Sequence, residues 1–158
     1  PMPEWQNLFK DFVNLSTKHN VTIGVGLAPI DKKHVSELAN KIKLFLDMDI
    51  SNFSLLFDDI DQEFSLAEQL DIFHKTKNNF IDISIDFCPT VYCSELIKKD
   101  KNHQDYFDEF CSTFPKNEKF FWTGEKVISQ YLNKDSEKVL EGFDKKNICI
   151  WDNYFTVD

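Results

Sequence analysis

The sequence predicts an α/β fold of parallel strands joined by helices, and three observations carry that prediction. Five short apolar segments, Val21–Ala28, Asn52–Phe57, Asp82–Phe87, Lys119–Trp122 and Asn147–Trp151, begin roughly 30 residues apart, the length of one βα unit. Amphipathic stretches of helical period lie between them. No linker-like, repetitive or low-complexity tract interrupts the alternation, so the 158 residues are expected to form one domain.

Each element has its own justification. Trp5, Leu8, Phe9, Phe12, Val13 and Leu15 recur at helical spacing and predict a first helix ahead of the Val21–Ala28 strand. Asp31 is the predicted N-cap of a second helix, whose apolar face is Val35, Leu38, Ile42, Phe45 and Leu46. Asn52–Phe57 is almost wholly apolar, as a strand covered on both faces would be, and it runs straight into Asp58, Asp59 and Asp61. Leu66–Phe80 predicts the next helix, and Pro89 ends the Asp82–Phe87 strand. Gln104–Phe114 is a helix stopped by Pro115, and Ser136–Phe143 is the helix between the last two strands.

This alternation fits either a doubly wound sheet or part of a β/α barrel. Two features separate them. No GxGxxG or P-loop follows any strand; Gly24-Val25-Gly26 lies inside one and is followed by Leu27. Chemically able groups follow every strand instead: Pro29, the Asp58/Asp59 pair, Thr90 and Tyr92, Thr123 and Gly124, then Asp152 and Asn153. Sites built at strand carboxyl ends are the mark of a barrel, so the predicted class is a partial TIM (β/α)8 barrel of about five parallel βα units.

Bulk chemistry excludes several partners. A net charge of −9 and the absence of any arginine argue against a nucleic-acid backbone and remove bidentate guanidinium recognition. No apolar run approaches the roughly 20 residues of a membrane span, and Pro1-Met2-Pro3-Glu4-Trp5 is unlike a signal peptide. Cys88, Cys93, Cys111 and Cys149 have no CxxC pairing; they read as packed thiols of a reduced compartment, with a Cys88–Cys93 bridge or a metal ligand role as alternatives. His19, His34, His74 and His103 lack ligand-spaced partners and read as surface residues. The 16 phenylalanines carry no mechanistic reading. A cytoplasmic or nucleocytoplasmic location is expected, with neither metal nor cofactor.

Four islands hold the candidate chemistry. Asp58 and Asp59, at the end of an apolar strand, suit helix caps, solvated charges, metal ligands or a catalytic pair. In Phe87-Cys88-Pro89-Thr90-Val91-Tyr92-Cys93, the Tyr92 hydroxyl can donate to a ligand or to a buried carbonyl. In Phe121-Trp122-Thr123-Gly124-Glu125-Lys126, an aromatic strand end meets a tight turn and can floor a sugar or cap the core. In the segment from Ile150 to Asp158, Trp151 offers a plate to the face of a pyranose, and Asp152, Asn153 and Asp158 offer partners for its hydroxyls.

In this order, LLFDDID, FCPTVYC, WTGEKV and IWDNY closely resemble the catalytic domain of the O-GlcNAcase-type hexosaminidases of glycoside hydrolase family 84. The resemblance spans nearly the whole chain and corresponds to the third through seventh strands of that family's barrel. It implies retaining hydrolysis of β-N-acetylglucosaminides, including removal of O-GlcNAc from Ser or Thr. The nucleophile would be the substrate's own 2-acetamido oxygen, giving an oxazoline intermediate. By motif position Asp58 would orient the acetamido N–H, and Asp59 would protonate the leaving oxygen and then activate water. Tyr92 matches a tyrosine near the reacting centre, Trp151 a tryptophan of the sugar pocket, Asn153 an asparagine on the acetamido carbonyl, and Asp158 an aspartate on the distal hydroxyls. Glu125 stands where a proline is common, and the stretch from Tyr154 to Val157 is more apolar than in other members.

The resemblance also implies what is missing, because a whole barrel takes eight strands and about 250 residues. Residues 1–158 are therefore expected to be one partial barrel domain truncated at both ends, inactive alone, from a parent that takes a GlcNAc-modified protein or glycan and forms a homodimer. The alternatives are a hexosaminidase acting on other GlcNAc conjugates, as hyaluronidases do, or a silent sugar-binding or scaffold module. Neighbouring side chains on a regular strand face opposite ways, so both aspartates can serve one sugar only if the chain has left the strand at Asp58.

Overall fold

In the computed structural model the predicted alternation becomes a five-stranded, all-parallel sheet whose strands lie side by side in chain order. Residues 3–58, 64–131 and 138–153 are described. Helix α1 (Glu4–Lys18) precedes β1 (Gly24–Leu27), α2 (Lys32–Leu46) leads to β2 (Asn52–Leu56), and α3 (Leu66–Asn79) leads to β3 (Ser84–Cys88). The short α4 (Ser94–Ile97) and α5 (Lys101–Thr113) precede β4 (Phe120–Trp122), and a 3₁₀ turn, Lys145–Asn147, feeds β5 (Ile148–Ile150). A doubly wound sheet reverses its strand order part-way. Here the order never reverses, so right-handed crossovers deposit every helix on one face, as in a barrel wall. No helix among the described residues is long and apolar enough to cross a membrane.

Local signals set the element boundaries. Asp31 and Asp100 each accept a hydrogen bond from the backbone N–H three residues on, at His34 (2.8 Å) and His103 (3.0 Å), capping α2 and α5. The Nδ1 atom of each histidine lies 2.8 Å from the same carboxylate, and these contacts hold both aspartates below the usual carboxylate range. The surface reading fails for His103, whose side chain keeps only 12% of its exposure in this cap. Helices α1 and α2 end alike: Asn20 and Asp49 take left-handed φ of 57° and 63°, and the next residue's N–H returns to the carbonyl of Ser16 or Phe45.

Several predicted boundaries shift by one to three residues, among them strand Asp82–Phe87, observed over Ser84–Cys88, and helix Gln104–Phe114, observed over Lys101–Thr113. The first strand begins at Gly24 rather than Val21, since Gly24 pairs with the first residue of β2, Asn52. Asn147 lies in the 3₁₀ turn rather than in β5. The helix expected over Ser136–Phe143 falls partly outside the described residues, and positions 139–142 form turns.

The two faces of the sheet differ in chemistry. Phe53, Leu55 and Phe57, together with Ile85, Phe87, Phe120 and Trp122, point at the helices and are almost completely buried. Each such side chain is worth about 1.5–3 kcal/mol in transfer free energy. The phenylalanines form a continuous stack from sheet to helix: ring centroids are 5.3 Å apart for Phe57–Phe87, 5.2 Å for Phe87–Phe114, 4.7 Å for Phe110–Phe114 and 4.8 Å for Phe120–Phe143.

The opposite face, the concave one in a barrel, carries Gly24, Gly26, Asn52, Ser54 and Asp86 low down and Leu56, Cys88 and Phe121 near the strand carboxyl ends. A Cβ at Gly26 would stand 2.8 Å from Leu56 Cδ1, so a side chain there would make the end of the leucine turn aside. Burial pushes the Asp86 carboxyl above the ordinary carboxylate range, opposed by Lys119 and reinforced by Glu118. A raised folded-state value means that its contribution to stability is full below the unfolded value and is lost as pH rises through the folded one. Asp86→Asn should therefore raise Tm at pH 7 and change it little near pH 3, in paired thermal melts.

Candidate active site

Each strand hands its last residues to one rim of the sheet, and backbone hydrogen bonds hold these rim segments together. The Phe57 N–H donates to the Cys88 carbonyl, Thr123 N–H to Tyr92 O, and Trp151 N–H to Trp122 O, each at 3.0 Å. Beyond the strands, Cys93 and Gly124 still pair as an isolated parallel bridge, with Ser94 N–H on Gly124 O at 3.0 Å and Glu95 N–H on Glu125 O at 2.8 Å. Gly124 takes φ of 104°, a conformation that disfavours side chains, and so makes the tight turn after β4. The Glu125 carbonyl is thus used as a backbone acceptor where a proline had been the family expectation.

On this rim the structure brings two of the sequence-predicted residues, Tyr92 and Trp151, into contact. Strand β2 ends at Leu56, and Asp58 stands half-buried in a turn, so the chain has left the strand before the first aspartate. Asp59 and Asp158 lie outside the described residues. Tyr92 is buried and packs on Trp151 with ring centroids 5.7 Å apart; Phe121 meets the same indole edge-on at 6.2 Å. Cys88 and Cys93, which form no disulfide, complete this small apolar cluster with Leu56, Leu96 and Val127. Burial raises the Cys93 thiol above its ordinary range, which suits packing rather than reactivity.

Asn153 closes the described part of the rim. Its backbone N–H turns back onto the Trp151 carbonyl at 3.0 Å, and its side-chain Nδ2 donates to the Val127 carbonyl at 3.3 Å. This contact takes one of the two Nδ2 protons. The arrangement is an aromatic wall of Tyr92, Trp151 and Phe121, an amide at its border, and a carboxylate in the turn after β2. Such a wall stacks the apolar face of a sugar while polar groups at its edge select its substituents.

A second set of polar residues went unseen in the sequence. Gln69, 1% exposed, donates from Nε2 to Thr90 Oγ1 at 2.9 Å and to the Phe64 carbonyl at 3.1 Å. Tyr106 donates its hydroxyl to Gln69 Oε1 at 2.6 Å and accepts from the Thr90 N–H at 3.1 Å. Thr90 passes its own hydroxyl proton toward the Phe57 carbonyl at 2.9 Å. In the sequence Thr90 stands out only as a polar residue after a strand, and Gln69 and Tyr106 lie within the helical stretches Leu66–Phe80 and Gln104–Phe114.

Known proteins share the fold and part of the sequence. A mutant O-GlcNAc hydrolase of Thermobaculum terrenum has a solved structure that superimposes with a TM-score of 0.71 over 98% of this chain and 37% of that chain, at 21% identity. The likeness is one of fold, and it identifies the sheet as part of a β/α barrel. The proteins named Protein O-GlcNAcase in Mus musculus and Rattus norvegicus are each 25% identical to it over 150 residues. Those matches take in 87% of this chain but 16% of each relative, so the chain spans a small part of their length. With residues 2–158 matched by the sequence profile of the β-N-acetylglucosaminidase family, the chain belongs to that family of glycoside hydrolases.

Proposed function

We propose that the protein to which this chain belongs hydrolyses β-N-acetylglucosaminides with retention, using the substrate's 2-acetamido group as nucleophile. The reading rests on the Tyr92–Trp151 ring contact, with Asn153 two residues on, at the strand carboxyl ends where β2 also gives way to the Asp58 turn. Trp151 lines the sugar and acetamido pocket, the Tyr92 hydroxyl hydrogen-bonds near the reacting centre, and Asn153 donates from Nδ2 to the acetamido carbonyl. Asp58 accepts the acetamido N–H, which increases electron density on the carbonyl oxygen as that oxygen attacks the anomeric carbon. Asp59 gives its proton to the departing Ser or Thr oxygen, and an oxazoline forms. Asp59 then takes a proton from water as the water opens the oxazoline, and Asp158 holds the distal hydroxyls.

Physical chemistry favours this division of labour. An attacking group already tethered to its target reaches effective molarities worth about 7–11 kcal/mol, provided the site holds it in an attacking pose. The apolar cluster around Tyr92 and Trp151 limits the pose and excludes water. Two adjacent carboxyls raise each other's proton affinity, which keeps an acid available near neutral pH. A GlcNAc-modified protein is the substrate proposed, with Ser or Thr as the aglycone. Residues 1–158 are one partial barrel domain in this reading, and the full-length parent completes the pocket, works as a homodimer and resides in the cytoplasm.

The test compares aryl β-N-acetylglucosaminide with the matched aryl β-glucoside, using full-length protein. Only the first carries the internal nucleophile, so turnover is expected for it alone. Equal hydrolysis of both would exclude acetamido participation.

A further inference from the structure

The hydrogen bonds joining Gln69, Thr90 and Tyr106 can be assigned in one direction only. The Phe64 carbonyl can only accept, which fixes the Nε2 end of Gln69 beside it and beside Thr90 Oγ1. The Gln69 Oε1 must then accept from the Tyr106 hydroxyl, leaving the Tyr106 oxygen to accept from the Thr90 N–H. Both amide protons and the amide oxygen of Gln69 are used, and the Thr90 hydroxyl is left to donate to Phe57 O. Burial raises the Tyr106 phenol beyond any physiological titration, so this direction holds at all working pH values.

The two outputs of the network are main-chain carbonyls: Phe57, immediately before Asp58, and Phe64, immediately before the Ser65 cap of α3. Ser65 is itself fixed by a capping box, its N–H donating to Glu68 Oε2 at 2.8 Å while Glu68 N–H donates to Ser65 Oγ at 3.3 Å. A cleft of about 410 Å³ opens beside the network, with Phe64, Thr90, Val91 and Tyr106 in its wall. Hydrogen bonds add to packing in fixing Thr90 against the end of β2.

We propose that Gln69, Thr90 and Tyr106 form a clamp that positions Asp58 by holding the Phe57 carbonyl and ties it to the start of α3 through the Phe64 carbonyl. None of the three is a catalytic residue in this scheme; each acts through the main chain next to Asp58. The catalytic meaning of the clamp rests on the function proposed above, whereas its mechanical part does not. A displacement of about 1 Å in a reacting group costs on the order of 100-fold in rate, so a loosened turn would be felt in kcat before it is felt in substrate binding.

The test uses full-length protein carrying Tyr106→Phe, Gln69→Glu or Thr90→Val, each close to its parent in shape. Amide hydrogen exchange is followed in the peptide spanning residues 55–66 and in α2 as an internal reference, alongside kcat and KM. The expected result is exchange about tenfold faster in 55–66 alone, with kcat lower by roughly 10- to 100-fold and KM within about threefold. Thr90→Val gives a separate reading if either of the others fails to fold. Unchanged exchange in 55–66 overturns the clamp, and faster exchange with unaltered kcat overturns its role in positioning. If exchange responds but the unaltered protein turns over no N-acetylglucosaminide, the clamp stands and the proposed function falls.

Discussion

Asp59→Asn in the full-length protein is expected to lower kcat by about 10²- to 10⁴-fold on substrates with poor leaving groups, such as an alkyl or seryl aglycone. On nitrophenyl-type substrates the loss should be far smaller in the glycosylation step. A leaving group that departs as a stable anion has no need of the proton, while an alkoxide does. The second step supplies an internal check, because the same carboxyl then serves as base, so the oxazoline-opening step becomes rate-limiting for activated substrates and a burst of aglycone should precede slow turnover. Steady-state and burst kinetics over a leaving-group series would measure both. Equal losses across the series would remove Asp59 from the acid role. Asp58→Asn is expected to behave differently, with losses that scarcely depend on the leaving group, because its proposed partner is the acetamido N–H.

Phe87→Ala should have the largest effect on stability. Its ring is fully buried and lies 5.3 Å from Phe57, 5.6 Å from Phe73, 6.1 Å from Phe110 and 5.2 Å from Phe114, centroid to centroid. Truncation leaves a cavity among rings held by β2, α3 and α5, none of which can collapse without disturbing its own hydrogen bonds. Such substitutions cost about 3–5 kcal/mol, a large share of the roughly 5–15 kcal/mol that stabilises a domain. In a chain of this size the corresponding drop in Tm is about 6–20 °C. Calorimetry or denaturant titration would read it, and a cost below about 1 kcal/mol would show that the stack repacks. Because Phe57 rests on Phe87 and precedes Asp58, the same substitution should also loosen the proposed site.

The parts of this fold that were legible in the sequence are those decided locally. Asn52–Leu56 declares itself by an apolar run of strand length, α2 by the Asp31 cap and its periodic Val35, Leu38 and Ile42, and β3 by the stop at Pro89. The barrel class was legible because candidate groups repeat after the strands, and the consecutive strand order agrees with it. Helix α4 was missed because four residues, Ser94–Ile97, are too few to show a period. Gln69 was missed for a different reason: a polar side chain in an amphipathic helix normally faces water. What buries it lies 21 and 37 positions away, at Thr90 and Tyr106. The covering of His103 is likewise a tertiary outcome that polarity along the chain conceals.

Strand order has a consequence for how the molecule is made. Every neighbouring pair in this sheet is also a neighbouring pair in the chain, so among the described residues no pairing of these five strands waits for a distant segment to be synthesised. Closing each pair requires one loop of about 30 residues, whose entropic cost grows only slowly with length. Assembly can thus proceed as a zipper in the direction of translation, each βα unit docking on the one before it. The Phe57–Phe87 contact forms when the third strand docks, and the wall of Tyr92 and Trp151 is complete only with the fifth. In a nascent chain, the acid-bearing turn would acquire its support well before it acquires the means to hold a sugar.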